Sequence, residues 1–274
     1  MIQNKEDNKV SFNLSPSSLN TYFKSPLLFY LTHIGKVPDD TKVPVCYGLS
    51  GNIVHNCLEK YAKGELNRDE TCLFLASQWD KLNLNYHLDI KNNPLKMEDY
   101  LLALIKGLNV IDSHKEHVCE EMIKFPFMEN DSMKIGIKGI IDLQAKQKED
   151  NSQVIIDYKT SNSVNQGNEF ERQALFYNYL IHKKKNIIPE KTVFHYLKLG
   201  VPKVYSFTYQ DIQAFEEELN IIANELLKFG TNISRYPVGE INDLFNSKRE
   251  ACLREVSRRK LFTDPQALVH MGHD

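Results

Sequence analysis

Apolar positions along the chain fall into two regimes. From Leu14 to about residue 118 they recur at three- and four-residue steps, the period of helices packed on one face. Leu19, Tyr22, Phe23 and Leu27 open this region behind Leu14-Ser15-Pro16, where Ser15 reads as an N-cap and Pro16 as the first helical residue. The spacing predicts further helices from Gly51 to near Gly64, over 69–85 and over 97–118, after a loop from Gly35 to Gly48. From residue 120 onward, segments rich in Ile, Val and Phe predict strands over 120–128, 133–146 and 153–160. A helix from Glu169 to Lys183 follows. Strands over 191–199 and 203–209 then meet at Gly200-Val201-Pro202. An amphipathic helix from Asp211 to Phe229 and a basic helix over 242–261 complete the order. Helices first and then β-β-β-α-β-β-α predict an α/β (α+β) fold with a central mixed sheet. One domain is expected: a leader over 1–13, a helical elaboration over 14–118, a core over 119–229 and a basic C-terminal helix and tail over 230–274.

Composition narrows the partners only slightly. The 274 residues are 42% hydrophobic and 26% charged, as in an ordinary globular protein, so global disorder is excluded. Thirty-four basic residues against thirty-six acidic give a net charge of −2. A histone-like polybasic protein is excluded, whereas a local basic groove is not. Two basic stretches stand out, Lys248 to Lys260 and Lys183-Lys184-Lys185 with Lys191; either is a phosphate track or a solvated helix face. Tyr22, Phe23, Phe29 and Tyr30 suit base stacking in principle, and their helical spacing favours the core. The cysteines Cys46, Cys57, Cys72, Cys119 and Cys252 are odd in number and form no CxxC pair. That pattern argues for a reducing, cytoplasmic setting over a disulfide framework. No apolar run has membrane-spanning length, and the N-terminus lacks a signal-peptide core.

The hairpin between the second and third strands carries the chemistry. Asp142 and Asp157 are equidistant from the midpoint of Glu149 and Asp150, so a bulge-free hairpin sets them directly opposite. Lys159 lies two residues beyond Asp157 and shares its face. Like charges placed opposite need a cation between them. Two readings follow: a hard divalent ion with oxygen ligands, Mg²⁺ or Mn²⁺, or a plain salt bridge from Lys159 to one aspartate. His55 taken alone is one of nine histidines. Gln173 and Tyr177 lie four apart and share a helix face, which a packed tyrosine beside a surface glutamine explains equally well.

Taken in order, Ser15-Pro16-Ser17-Ser18-Leu19, Gly51…His55, Gly139-Ile140-Ile141-Asp142, Ile156-Asp157-Tyr158-Lys159-Thr160 and Gln173…Tyr177 resemble a known pattern. This is the RecB-type branch of the PD-(D/E)XK nuclease superfamily, which includes exonucleases associated with CRISPR loci. The resemblance runs from about Leu14 to Tyr209 and implies a restriction-endonuclease-like core. It implies that His55, Asp142, Asp157 and the backbone carbonyl of Tyr158 are metal ligands for Mg²⁺ or Mn²⁺. It implies Lys159 as the catalytic lysine, with Asp142 and Asp157 as its catalytic partners. Gln173 and Tyr177 would support the site and contact nucleic acid. Glu120 or Glu121 is a candidate accessory acid. Many relatives hold an iron–sulfur cluster through a Cys-Pro step and three C-terminal cysteines. Here Ser25-Pro26 and the single Cys252 stand in those regions, so no cluster is expected, and packing is expected to join the N-terminal helix to the C-terminal region.

The expected function is a divalent-metal-dependent DNA exonuclease acting on single strands or free ends. The alternative is a catalytically silent DNA-binding subunit of a repair or recombination complex. Protein partners from a repair, recombination or CRISPR system are unspecified by the sequence. The segment over 65–95 is expected to arch over the site and favour threading of a free end.

Overall fold

The computed structural model describes residues 9–42, 45–89, 92–164, 167–243 and 246–263. In chain order the elements are β1 (Val10–Leu14), α1 (Pro16–Lys24), α2 (Pro26–Phe29), a π-helical turn (Tyr30–Ile34), α3 (Cys46–Ala62), α4 (Arg68–Lys81), α5 (Met97–Asp112), β2 (His114–Glu129), β3 (Met133–Gln147), β4 (Gln153–Lys159), α6 (Glu169–Lys185), β5 (Lys191–Tyr196), β6 (Val201–Tyr205), α7 (Tyr209–Phe229) and α8 (Arg249–Thr263). The sheet order is β1-β3-β4-β5-β6, with β2 also paired to β3. This mixed sheet with flanking helices is the architecture expected of a restriction-endonuclease-like core. Among the described residues no helix is long and apolar enough to cross a membrane.

Several boundaries differ from the sequence pattern. Residues 10–14, expected within the leader, form β1, because Phe12 and Leu14 are buried where the strand pairs with β3. The first eight residues of that leader and the tail beyond 263 lie outside the described residues. The helix expected over 97–118 ends at Asp112, because His114 onward pairs into the sheet as β2. The helix carrying His55 starts at Cys46, five residues before Gly51. The tail helix starts at Arg249, where Asp40 accepts hydrogen bonds from the Glu250 and Ala251 amides at 3.1 and 2.7 Å. That carboxylate satisfies donors of a first helical turn that have no intrahelical partner.

The chain forms two compact units. The first contains the described residues of 1–43, 125–137 and 219–274. Its β1 runs parallel to the start of β3, from Val10↔Met133 to Leu14↔Ile137. Ser15 caps α1 in a reciprocal capping box with Ser18, and Pro16 sits in the first turn. Tyr22 and Phe29 are buried, Tyr30 packs against Tyr236 with ring centroids 4.8 Å apart, and Phe23 alone of the four aromatics is exposed. Ser25 accepts from the Leu28 amide at 3.1 Å and donates to the Val238 carbonyl. Leu27, Leu31, Ala251 and Cys252 form one apolar cluster. Packing therefore joins the N-terminal helices to the C-terminal region, and Cys252 is a fully buried thiol within it.

The Pro237-Val238-Gly239 stretch makes the same junction through backbone, with the Leu27 amide on Pro237 and the Glu240 amide on Lys24. Gly239 has φ +64°, and a Cβ there would overlap the Lys24 carbonyl. Gly239→Ala is therefore expected to destabilise by about 2 kcal/mol or more. Gly64, at φ +71° with open space around it, should cost only about 1 kcal/mol when changed to Ala. Paired melting curves of the two variants check this; equal losses would mean that the close approach at Gly239 relaxes freely.

The second unit contains the described residues of 44–124 and 138–218. One face of β3 and β4 contributes Leu143, Ala145, Val154, Ile156 and Tyr158 to a core shared with Ile53, Val54 and Leu58 of α3, Leu75 and Trp79 of α4, and Leu104 and Leu108 of α5. The Trp79 indole N–H finds a partner in Asn85 at 2.8 Å, so its burial leaves no polar orphan. The segment over 65–95, expected to arch over the site, supplies Leu75, Trp79 and Leu84 to this core, all 0% exposed. Deleting it would remove core rather than a removable arch. β4 is apolar and buried on both faces from Val154 to Ile156, as expected of a central strand. It pairs antiparallel with β3 and parallel with β5, and β5 pairs antiparallel with the edge strand β6. Pro202 sits on that edge, where a missing amide costs no ladder bond.

Candidate active site

The β3–β4 register runs from Leu143↔Ile156 to Lys146↔Gln153 and ends one step before Asp142 and Asp157. The hairpin midpoint predicts that register, and just past its end the Asp142 carboxylate accepts the Tyr158 amide. On β5, Phe194 lies opposite Asp157 and shares its face. Helix α6 packs against that face through Phe176 and Leu180; a side chain at Gly139 would overlap Leu180. The same helix brings Gln173 and Tyr177 to Asp157 from successive turns.

Two linked networks result. In the first, Lys159 Nζ lies 2.6 Å from Asp157 Oδ2 and donates to Gln173 Oε1 at 3.2 Å. The Gln173 amide and the Tyr177 hydroxyl both donate to Asp157 Oδ1, at 3.0 and 3.1 Å, and bond each other at 2.6 Å. The rings of Phe170 and Phe194 flank the ammonium, with centroids 4.6 and 4.8 Å from Nζ. Lys159 is thus held by one carboxylate, one amide and two aromatic faces. Phe170 and Phe194 escaped the sequence reading, since no spacing rule ties either to Lys159.

In the second network, His55 Nδ1 lies 3.2 Å from Asp142 Oδ2, which also accepts the Tyr158 amide at 2.9 Å. Gly51, one turn before His55, lets α3 approach β4: a Cβ there would lie 3.1 Å from Thr160 Oγ1. Glu120 completes the group. Ligand atoms of His55, Glu120 and Asp142 all lie within 4.8 Å of one another. Glu120 has φ +50°, a left-handed backbone in the middle of a strand. Such a residue bulges β2 and re-aims its side chain at a cost of about 1 kcal/mol or more. Its neighbour Glu121 goes elsewhere, pairing with Lys184 at 2.7 Å and Lys185 at 3.4 Å. Sequence spacing could not choose between the two acids because it does not show the bulge.

Within this cluster His55 and Asp142 stabilise each other, whereas Glu120 faces a like charge. Burial, reinforced by the charges of Asp142 and Glu59, pushes the Glu120 carboxyl up to about 7. Burial alone would lower His55, but the Asp142 charge and hydrogen bond outweigh it and push the imidazole up to about 9. Asp142 is also penalised by burial, yet His55 and the Tyr158 amide hold it below the usual carboxylate range. Burial, with the Asp142 charge behind it, raises Asp157 despite Lys159. One imidazole nitrogen converging with two carboxylates that repel each other fits a hard or borderline divalent cation. His55, Glu120 and Asp142 are the residues that would hold it. The set brought together therefore contains Glu120, whereas Asp157 is engaged by Lys159, Gln173 and Tyr177.

The raised groups carry a sign. His55 and Glu120 bind protons more tightly folded than unfolded, so their contribution is lost as pH rises through the folded values. With chelator present, the melting temperature is expected to fall between about pH 6.5 and pH 9, where His55 releases its proton. A divalent ion should restore stability most at the alkaline end. Melting curves at fixed ionic strength, with EDTA and with Mn²⁺, check this, and a chelated protein that gains stability with pH would contradict it.

Among the comparisons with known proteins, the family model alone bears on the family. No curated protein matches the chain by sequence. A solved Eubacterium rectale protein, described as a candidate exonuclease, is 9% identical, with 87% of this chain and 89% of that chain covered and a TM-score of 0.44. The solved protein SSO0001 is 12% identical over 64% of this chain and 86% of its own, with a TM-score of 0.29. The match that decides is to the family model: it spans residues 13–252 and encloses both networks, from His55 to Tyr177. With its mixed sheet, its Asp142 held by His55, and Lys159 set between Asp157 and Gln173 of α6, the chain belongs to the PD-(D/E)XK nuclease superfamily.

Proposed function

We propose that this chain is a divalent-metal-dependent deoxyribonuclease of the RecB-type branch, acting on single-stranded DNA or free DNA ends. The observation that carries the reading is the junction of two networks: a three-ligand cluster of His55, Glu120 and Asp142, and a clamped Lys159 on the strand of Asp157. Mg²⁺ or Mn²⁺ held there would acidify bound water and offset charge gathering on a phosphate. Asp157 and the Tyr158 carbonyl are further ligand candidates from the motif resemblance. The chain's own groups do the rest. Lys159 presents a fixed ammonium to an oxygen that gains negative charge, a preorganised stabilisation that costs no reorientation during the reaction. Asp157, Gln173, Phe170 and Phe194 hold that ammonium in place. Tyr177 and Gln173 fix Asp157 and orient it towards Lys159.

Exonuclease rather than endonuclease action rests on the ordered motifs shared with CRISPR-associated relatives. Five unpaired cysteines favour a reducing, cytoplasmic setting. The test uses 5′- and 3′-labelled single-stranded and duplex DNA, and closed circular single strands, with Mg²⁺, Mn²⁺ or EDTA. Mononucleotide release from one end, with circles left intact, is the expected result. Cleavage of circles would reassign the enzyme as an endonuclease. No cleavage with either metal would leave the silent DNA-binding reading in its place.

A further inference from the structure

Both basic stretches conspicuous in the sequence are largely occupied within the protein. On α6, Lys183 pairs with Glu216 at 2.7 Å, and Lys184 and Lys185 pair with Glu121. On the tail, Lys248 is 6% exposed and bonds Val37 and Asp39. Arg254 bonds Asp40, and Arg258 and Arg259 bond Glu255. Phosphates would have to compete with these carboxylates. Lys124 on β2 and Lys138 on β3 differ: among the described residues neither forms an ion pair.

Their position is set by the sheet. Glu120 of β2 and Asp142 of β3 meet in the metal-ligand cluster. Beyond that point burial alternates along both strands. Ile123, Gly139 and Ile141 are buried, whereas Met122 is 54% exposed, Ile140 is 39% exposed and Lys124 is also exposed. Counting from Glu120, the outward face reads Met122 and then Lys124. Counting from Asp142, it reads Ile140 and then Lys138. Each strand therefore offers, measured along the backbone at about 3.3 Å per residue, an apolar residue about 6–7 Å from its cluster ligand and a lysine about 13 Å from it.

We infer that this face of β2 and β3 is the track for a single DNA strand entering the metal cluster. Met122 and Ile140 take an unpaired base adjoining the scissile phosphate, and Lys124 and Lys138 take phosphates beyond it. A single strand is the occupant that suits the chemistry. Its bases have free apolar faces to lay on Met122 and Ile140, whereas a duplex buries those faces in its own stack. The lysines supply the sequence-independent attraction. The inference rests on the nuclease reading for its direction into the cluster.

The experiment measures binding apart from cleavage. Fluorescence anisotropy with a labelled single-stranded oligonucleotide, in Ca²⁺, compares wild type with Lys124→Ala/Lys138→Ala, Lys183→Ala/Lys184→Ala and Met122→Ala/Ile140→Ala. The first two double variants change net charge equally. Of these two, only Lys124→Ala/Lys138→Ala should weaken binding, by about tenfold at low salt, with the slope of log affinity against log salt reduced by about 1.4. Met122→Ala/Ile140→Ala should weaken single-strand binding while leaving duplex binding unchanged. Equal losses from both lysine pairs, or unchanged affinity in the track variants, would overturn the inference. Cleavage by wild type in Mn²⁺ is read separately, so an uncut oligonucleotide with track-dependent affinity would count against the nuclease reading and leave the track standing.

Discussion

Lys159→Met is expected to lower kcat/KM on DNA by about 10³-fold, the scale seen when one preorganised donor to a developing oxyanion is removed. Methionine keeps an unbranched stem between Phe170 and Phe194 and removes only the charge and the donors. The same change should also destabilise the fold. Lys159 and Asp157 side chains are 18% and 3% exposed, so removing the lysine leaves a buried carboxylate with neutral donors only. Breaking one side of such a pair costs about 3 kcal/mol. Asp157, already raised by burial, would rise further, and the loss should therefore shrink as pH falls and the carboxyl protonates. Lys159→Met/Asp157→Asn separates the two effects. It should recover most of the stability, because Gln173 and Tyr177 can still bond an amide oxygen, and it should recover none of the activity. Melting curves and single-turnover rates on end-labelled DNA measure both. Full activity in Lys159→Met would remove the lysine from the chemistry.

His55→Ala is expected to weaken Mn²⁺ binding by at least about 100-fold, the upper end of what losing a mere supporting partner does. Glu120→Gln should weaken it by at least about tenfold, since the amide keeps an oxygen but loses the charge. Isothermal titration of the whole chain with Mn²⁺ reads both. The informative comparison is Asp157→Asn. The motif resemblance assigns Asp157 to the metal, whereas the structure engages its carboxylate with Lys159, Gln173 and Tyr177. A loss matching that of His55→Ala would mean that Asp157 turns from Lys159 to the ion on binding. Unchanged affinity would mean that Asp157 acts by holding Lys159. Unchanged affinity in His55→Ala would dissolve the cluster as a metal site.

The sequence determined those parts of this protein that depend on short-range pattern. The polar turn at Lys148–Ser152 sets the hairpin midpoint and with it the register up to Leu143↔Ile156, and strand geometry puts Asp157 and Lys159 on one face without reference to anything distant. Gln173 and Tyr177 follow from the helix period in the same way. The Ser15 cap was legible because a cap is a contact between residues three apart. What remained hidden was long-range or against local preference. Glu120 joins the site through a left-handed residue inside a strand, which no propensity favours. The helix expected to run to residue 118 ends at Asp112 because β2 pairs with β3, a gain that exists only once the sheet does. By sequence the basic clusters suit a phosphate track or a solvated helix face equally, and only the fold sets Glu121, Glu216, Asp40 and Glu255 against them. Net charge and spacing show how many cations a chain has; only tertiary structure decides which of them are already neutralised, because an ion pair is a contact between residues that the sequence keeps far apart.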